Sequence, residues 1–158
     1  MLDYIPLDME LLEATLSRKR IEYLDMVQHY FGGSSEELDY DKSEMSTFEK
    51  ANMKQIIKDV KRTCPEVSLF THKILYNMLV RILYIFTIRH PATGYVQGIN
   101  DLSVPFILVF LSEHIENPGN PDNIYDISES ELEFLSREKL SFVEADSYWC
   151  LAKMIDGI

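Results

Sequence analysis

The sequence predicts an all-α fold with no sheet. Apolar residues recur at three- and four-residue spacing through most of the chain, and no stretch sustains the strict alternation of a half-buried strand. Glycine, proline and serine cluster between the periodic stretches, and no internal repeat is present. With 158 residues, 46% of them hydrophobic, the chain can build one domain with a core and is short for two.

The elements follow in order. Pro6 can start a first helix, with Leu12, Leu16, Tyr23 and Val27 on one side and Arg18, Lys19 and Glu22 on the other. Gly32 and Gly33 end it, and the acidic, serine-rich residues 34–44 read as a solvated loop. Ser46 or Thr47 can cap a second helix, with Glu49 or Lys50 in its first turn; it runs through Met53 and Ile57 to about Lys61, and Pro65 forbids much extension. Ser68 precedes the strongest helix, residues 69–89. One apolar face carries Leu75, Leu79, Ile82 and Phe86, and a second carries Phe70, Ile74 and Ile85. A helix apolar on most of its circumference belongs at the centre of a bundle. His90 and Pro91 stop it. After a turn at 94–98, Asn100 or Asp101 can cap a helix through Leu111, kinked near Pro105. Residues 116–137, with Pro118, Gly119 and Pro121, read as a long acidic connection with room for one short helix. A last helix, 142–155, puts Phe142, Ala145, Trp149 and Ala152 on one face.

Charge and residue usage narrow the function. Fifteen Lys and Arg against 26 Asp and Glu give a net charge of −11, which disfavours nucleic acid and anionic membrane and weakly favours basic partner surfaces. The densest basic cluster is Arg18-Lys19-Arg20. Cys64 and Cys150, far apart and with no signal peptide before them, fit a reduced intracellular protein. The apolar run 104–111 is too short to span a bilayer, and 69–88 is broken by His72, Lys73, Asn77 and Arg81, so no direct membrane anchor is expected. The four histidines lack metal-ligand spacing. No P-loop, nucleophile elbow or EF-hand is present, so the chain is not expected to bind nucleotide alone.

Two short motifs carry chemistry. Ile56, Asp59 and Arg62 stand at i, i+3 and i+6, so Asp59 and Arg62 can meet across one turn. The plain reading is a surface ion pair worth at most ~0.5 kcal/mol. In the second motif Gly94 and Gly98 permit a tight turn that presents Gln97, which could orient a water or reach a partner's backbone. The plain reading there is an ordinary turn with Tyr95 packed beneath it. A guanidinium and a carboxamide, both at element ends, also suit the stabilising and aiming of phosphoryl transfer.

Taken in order around a long apolar helix, Ile56-x-x-Asp59-x-x-Arg62-Thr63 and Gly94-Tyr95-x-Gln97-Gly98-x-Asn100-Asp101-Leu102 resemble the TBC domain, the family of GTPase-activating proteins for Rab GTPases. The likeness extends to Ile88-Arg89-His90-Pro91, Pro105-Phe106, residues 144–151 and 153–158, and Tyr4-Ile5-Pro6, close to the Ypt/Rab-directed subgroup. The resemblance implies that Arg62 is an arginine finger and Gln97 a glutamine finger. Asp59 would hold the Arg62 loop, and Tyr95 and Gly98 would shape the turn; Ile56, Thr63, Asn100 and Asp101 complete the motifs. It also implies a Rab-family GTPase in its GTP-bound form as partner, with GTP and Mg belonging to that partner and no cofactor of the chain's own. Its place would be the cytoplasm, with recruitment to organelle membranes through the Rab. Two other readings stand beside it: a non-catalytic Rab-binding or scaffold module, and a helical module that captures a basic partner through its acidic loops.

TBC domains are longer than this chain. An irregular multi-helix N-terminal lobe is therefore expected, with apolar surface exposed on the 69–89 and 142–155 helices. In isolation it should be weakly active or inactive.

Overall fold

A computed structural model describes residues 9–32, 45–65, 67–115 and 127–157. Among the described residues there is no strand, and the order is α1 (Met9–Phe31), α2 (Thr47–Lys61), a 3-10 turn (Ser68–Thr71), α3 (Lys73–Arg89), α4 (Ile99–His114), α5 (Glu129–Phe134) and α6 (Arg137–Asp156). The all-α expectation holds. Pro6 as a helix start, the 34–44 loop and the 116–126 part of the acidic connection lie outside the described residues.

Local chemistry sets the helix starts. Ser46 caps α2 in a capping box: its Oγ accepts from the Glu49 N–H at 3.1 Å, and the Glu49 carboxylate accepts from the Ser46 N–H at 3.0 Å. Ser128 and Glu131 repeat the device at α5, the short helix allowed for in the acidic connection. Three expected starts move. The helix placed at 69 begins at Lys73, because a tight turn first buries Leu69 and Phe70 and His72 then caps α3 by accepting the Ile74 N–H on Nδ1 at 3.1 Å. The helix expected from Asn100 or Asp101 begins at Ile99, after Gly98 in a left-handed conformation. The last helix begins at Arg137 instead of Phe142, capped by Ser136. Helix α4 runs without a break through Pro105.

Helix α3 is the centre of the bundle. From Leu75 to Thr87 every residue except Tyr76 is buried, because α1, α2, α4 and α6 all pack against it. The apolar surface expected on this helix is therefore covered. So is that of α6, which lies against α1, α3 and α4 and buries Val143, Ala145, Tyr148 and Leu151. Phe142 and Trp149, expected on the core face, are only half-buried and serve the α1 joint. The Arg20 guanidinium sits 4.2 Å from the Phe142 ring centroid, and Trp149 Nε1 donates to the Lys19 carbonyl at 2.8 Å. Exposed apolar side chains appear elsewhere, notably Val96 in the turn before α4 and Leu102 and Val109 on α4.

Polar groups hold α1, α3 and α6 together beneath the surface. Arg81 and Glu144, 5% and 4% exposed, form an ion pair with Nη2 2.6 Å from Oε1. The Tyr23 hydroxyl donates to Glu144 Oε2 at 2.7 Å. Burial works against the Arg81 charge, but Glu144 more than offsets it and the pKa is raised; burial first, and then Glu144, push the Tyr23 hydroxyl well above its ordinary value. Arg20 grips Asp146 with two hydrogen bonds of 3.0 and 2.8 Å. Lys19 lies 4.2 Å from the Trp149 ring centroid, so two members of the basic cluster are committed to α6.

Candidate functional site

The C-terminus of α2 and the N-terminus of α4 meet at one end of the bundle, and the two motifs lie on these adjoining turns. Ile56 is fully buried and anchors the last turns of α2 in the core. One turn later stands Asp59, only 2% exposed. The plain surface-pair reading therefore fails for its carboxylate half: only Arg62, with 64% of its side chain exposed, lies at the surface.

The Asp59 carboxylate is fully engaged. Its Oδ1 accepts from Arg62 Nη2 at 2.6 Å and from Gln55 Nε2 at 3.0 Å, while Oδ2 accepts from the Tyr95 hydroxyl at 2.6 Å. Burial alone raises its pKa, but hydrogen bonds from Tyr95, Arg62 and Gln55 outweigh that and hold the carboxyl below its usual value. Conversely, burial and the bond to Asp59 drive the Tyr95 hydroxyl far upward. Gln55 was not singled out in the sequence. Its position one turn before Asp59, at i−4, was the available signal.

The second set of contacts runs through the buried Thr63 and Asn100. Thr63 Oγ1 donates to the Asp59 carbonyl at 2.7 Å and accepts from Asn100 Nδ2 at 2.9 Å. Asn100 Nδ2 also lies 3.4 Å from the Asp59 carbonyl, and Asn100 Oδ1 accepts from the Gly98 N–H at 3.1 Å. The single phenolic proton of Tyr95 goes to Asp59, so its 3.5 Å approach to Asn100 Oδ1 adds no second donation. Asn100 thus satisfies an N-terminal amide of α4 from inside the helix, a service expected of it as the cap residue itself.

Backbone conformation shapes both turns. Gly98, at φ 108°, occupies a region closed to side-chain-bearing residues, and Gly94 at φ 63° opens the same loop. Cys64, at φ 46°, is a non-glycine residue in left-handed conformation two positions after Arg62. Between the segment that follows α2 and the first turns of α4 lies an open cleft bordered by Arg62, Cys64, Pro65, Asp101, Val104 and Pro105. Asp101 is exposed there, outside the hydrogen-bond network. Gln97 is exposed in the 94–98 turn, and no hydrogen bond joins it to Arg62 among the described residues. The structure thus groups Asp59, Arg62, Thr63, Tyr95, Gly98 and Asn100 in one network, with Ile56 beneath and Gln97 and Asp101 at its edge.

No group of three or more His, Cys, Asp or Glu among the described residues could hold a metal ion. No helix among them is long and apolar enough to cross a membrane. Both cysteines are free thiols, and burial pushes Cys150 up to about 11.

A sequence profile described as the Rab-GTPase-TBC domain matches residues 24–158. The chain is 40% identical over 155 residues to TBC1 domain family member 22B of Homo sapiens, covering 98% of the chain and 27% of that protein. It is 42% identical over 159 residues to GTPase-activating protein gyp1 of Schizosaccharomyces pombe, covering 100% of the chain and 28% of that protein. The crystal structure of the Ypt/Rab-GAP domain of Gyp1p superposes with a TM-score of 0.80 at 36% identity, over 99% of this chain and 44% of that one. The chain thus spans about a quarter of the length of the curated relatives it matches.

Proposed function

The chain belongs to the Rab-GTPase-TBC domain family, and from that membership we propose that it is a GTPase-activating module which lends Arg62 and Gln97 to a Rab-family GTPase in its GTP-bound form. One observation carries the reading: two adjoining turns, tied by one buried network, each present an exposed side chain of the type this chemistry needs. An isolated GTPase does little to offset the charge that develops on the transferring phosphoryl group. A guanidinium supplied in trans stabilises that charge, an effect on the order of 10³ to 10⁵ in rate, or roughly 4–7 kcal/mol. Gln97, whose carboxamide both donates and accepts, would hold the attacking water in line.

The supporting residues have complementary tasks. Asp59 takes one amino group of Arg62 and leaves Nε and Nη1 to face a phosphate, so it orients the finger and does not act as a base. Tyr95 and Gly98 shape the loop that carries Gln97. GTP and Mg would be the partner's, and the chain would bind neither alone. Recruitment to organelle membranes through the GTPase belongs to the same proposal.

The test is stimulated GTP hydrolysis by GTP-loaded Rab GTPases, with the chain carried in a complete domain. Arg62→Ala and Gln97→Ala should each abolish most of the stimulation. A substituted protein that stays within a few-fold of wild type sinks that residue's role. Binding of GTP-loaded Rab with no rate change in the unsubstituted protein would establish a binding module instead.

A further inference from the structure

Asn100 reaches both turns through its side-chain amide, and on each side it meets backbone. Its Nδ2 meets Thr63 Oγ1 and the Asp59 carbonyl at the end of α2, and its Oδ1 takes the Gly98 N–H directly after Gln97. It is 6% exposed, and Thr63 is 4% exposed, so water does not compete for these bonds. All its partners are backbone groups or a hydroxyl fixed by its own bond to the Asp59 carbonyl at 2.7 Å. The Tyr95–Asp59 bond joins the turns through two side chains, with no backbone group in it. The Asn100 contact instead joins backbone to backbone through one planar amide.

We propose that Asn100 is a positioning residue, acting through Thr63, that sets the separation and relative angle of the turns bearing Arg62 and Gln97. The inference rests on the reading of those two side chains as fingers. Its physical basis is the sensitivity of phosphoryl transfer to placement. A displacement of about 1 Å at a reacting group costs on the order of 10²-fold, and both groups must meet a single transition state. Asn100 would touch no nucleotide; it keeps two groups on different turns in register.

Donor and acceptor requirements give the test. Asn100→Asp keeps the shape and the oxygen that accepts from Gly98, but turns the donor toward Thr63 into an oxygen facing two oxygens. Thr63→Val keeps the branched shape and removes the hydroxyl, while Thr63→Ser retains it. In stimulated GTP hydrolysis with the complete domain, Thr63→Val and Asn100→Asp should each lower kcat by roughly 10- to 100-fold. KM for GTP-loaded Rab should stay within about threefold. Thr63→Ser should recover most of the Thr63→Val loss, and the double variant should be no slower than the worse single one.

Arg62→Ala is measured alongside. If it is slow while Thr63→Val and Asn100→Asp turn over like wild type, the positioning role is overturned and the finger reading survives. A loss in Thr63→Val that appears mainly in KM, or that Thr63→Ser does not relieve, overturns it too. If Arg62→Ala itself is unaffected, both readings fall. Should Asn100→Asp not fold, the valine–serine pair at position 63 decides alone.

Discussion

The Tyr95 hydroxyl lies 2.6 Å from Asp59 Oδ2, bridging 36 positions of chain and placing a phenol from one turn on the carboxylate that holds Arg62 in the other. Asp59 is therefore shared by the two motifs. A change on either side of it is felt on the other.

Arg62→Lys should behave like Arg62→Ala. Lysine keeps the charge and can still reach Asp59, but it lacks the planar fork that spans two phosphate oxygens. The stimulated rate should fall by about 10³-fold or more. Stability should change by less than about 0.5 kcal/mol, since the side chain is largely exposed. Single-turnover hydrolysis and urea unfolding of the same preparation check both parts. A lysine variant with near wild-type turnover would show that charge alone suffices.

Gly98→Ala isolates backbone strain. A Cβ at this position meets nothing within 4 Å, so the φ of 108° is the only obstacle. The expected cost is about 1–3 kcal/mol in urea unfolding. Loss of stimulated hydrolysis should accompany it, because the strained residue adjoins Gln97. A stability loss below about 0.3 kcal/mol would mean that the turn relaxes into another conformation.

Asp59 gives a pH dependence of defined sign. Its folded-state pKa is lowered from 3.8, so the carboxylate contributes stability that is complete above the unfolded-state value. That contribution is lost as the pH falls from there through the lower folded-state value. Asp59→Asn should be less stable than wild type at neutral pH, and the gap should narrow below about pH 4. Unfolding midpoints measured from pH 7 down to 3 test this. A gap constant across that range would remove the carboxylate's charge from the explanation.

Glu144→Ala should be among the most damaging single changes, at about 3–5 kcal/mol. It removes the carboxylate that neutralises the buried Arg81 and that accepts from Tyr23. Tyr23→Phe should cost less, about 1–3 kcal/mol, because the ion pair remains. Urea unfolding of both ranks them, and a reversed order would contradict the pairing described.

Much of this fold was legible in the sequence. Helical spacing located α3 and its buried Leu75, Leu79, Ile82 and Phe86, and the choice of Ser46 or Thr47 as cap, with Glu49 or Lys50 after it, bracketed the start of α2. Elements whose starts depend on an unusual cap were misplaced. His72 is not a common cap residue, and a buried asparagine at the start of α4 imitates a cap while glycine occupies that place. The start of α6 was missed because its first residues, Arg137, Glu138 and Lys139, are charged and exposed and carry no apolar stripe. Periodicity is a local signal. It cannot foresee partners 63 and 121 positions away, as Arg81 and Tyr23 are from Glu144. The same limit hid the burial of Asp59, which looks from its own helix like half of a surface pair.

The joint between α1 and α6 also gives the molecule an optical gauge. Trp149 is the only tryptophan in the chain; its indole N–H is held by the Lys19 carbonyl and its ring is faced by the Lys19 ammonium. Both contacts disappear if the first helix lifts away. Unlabelled protein therefore carries an emission signal that reads this seam whenever a partner, a substitution or a denaturant works it loose.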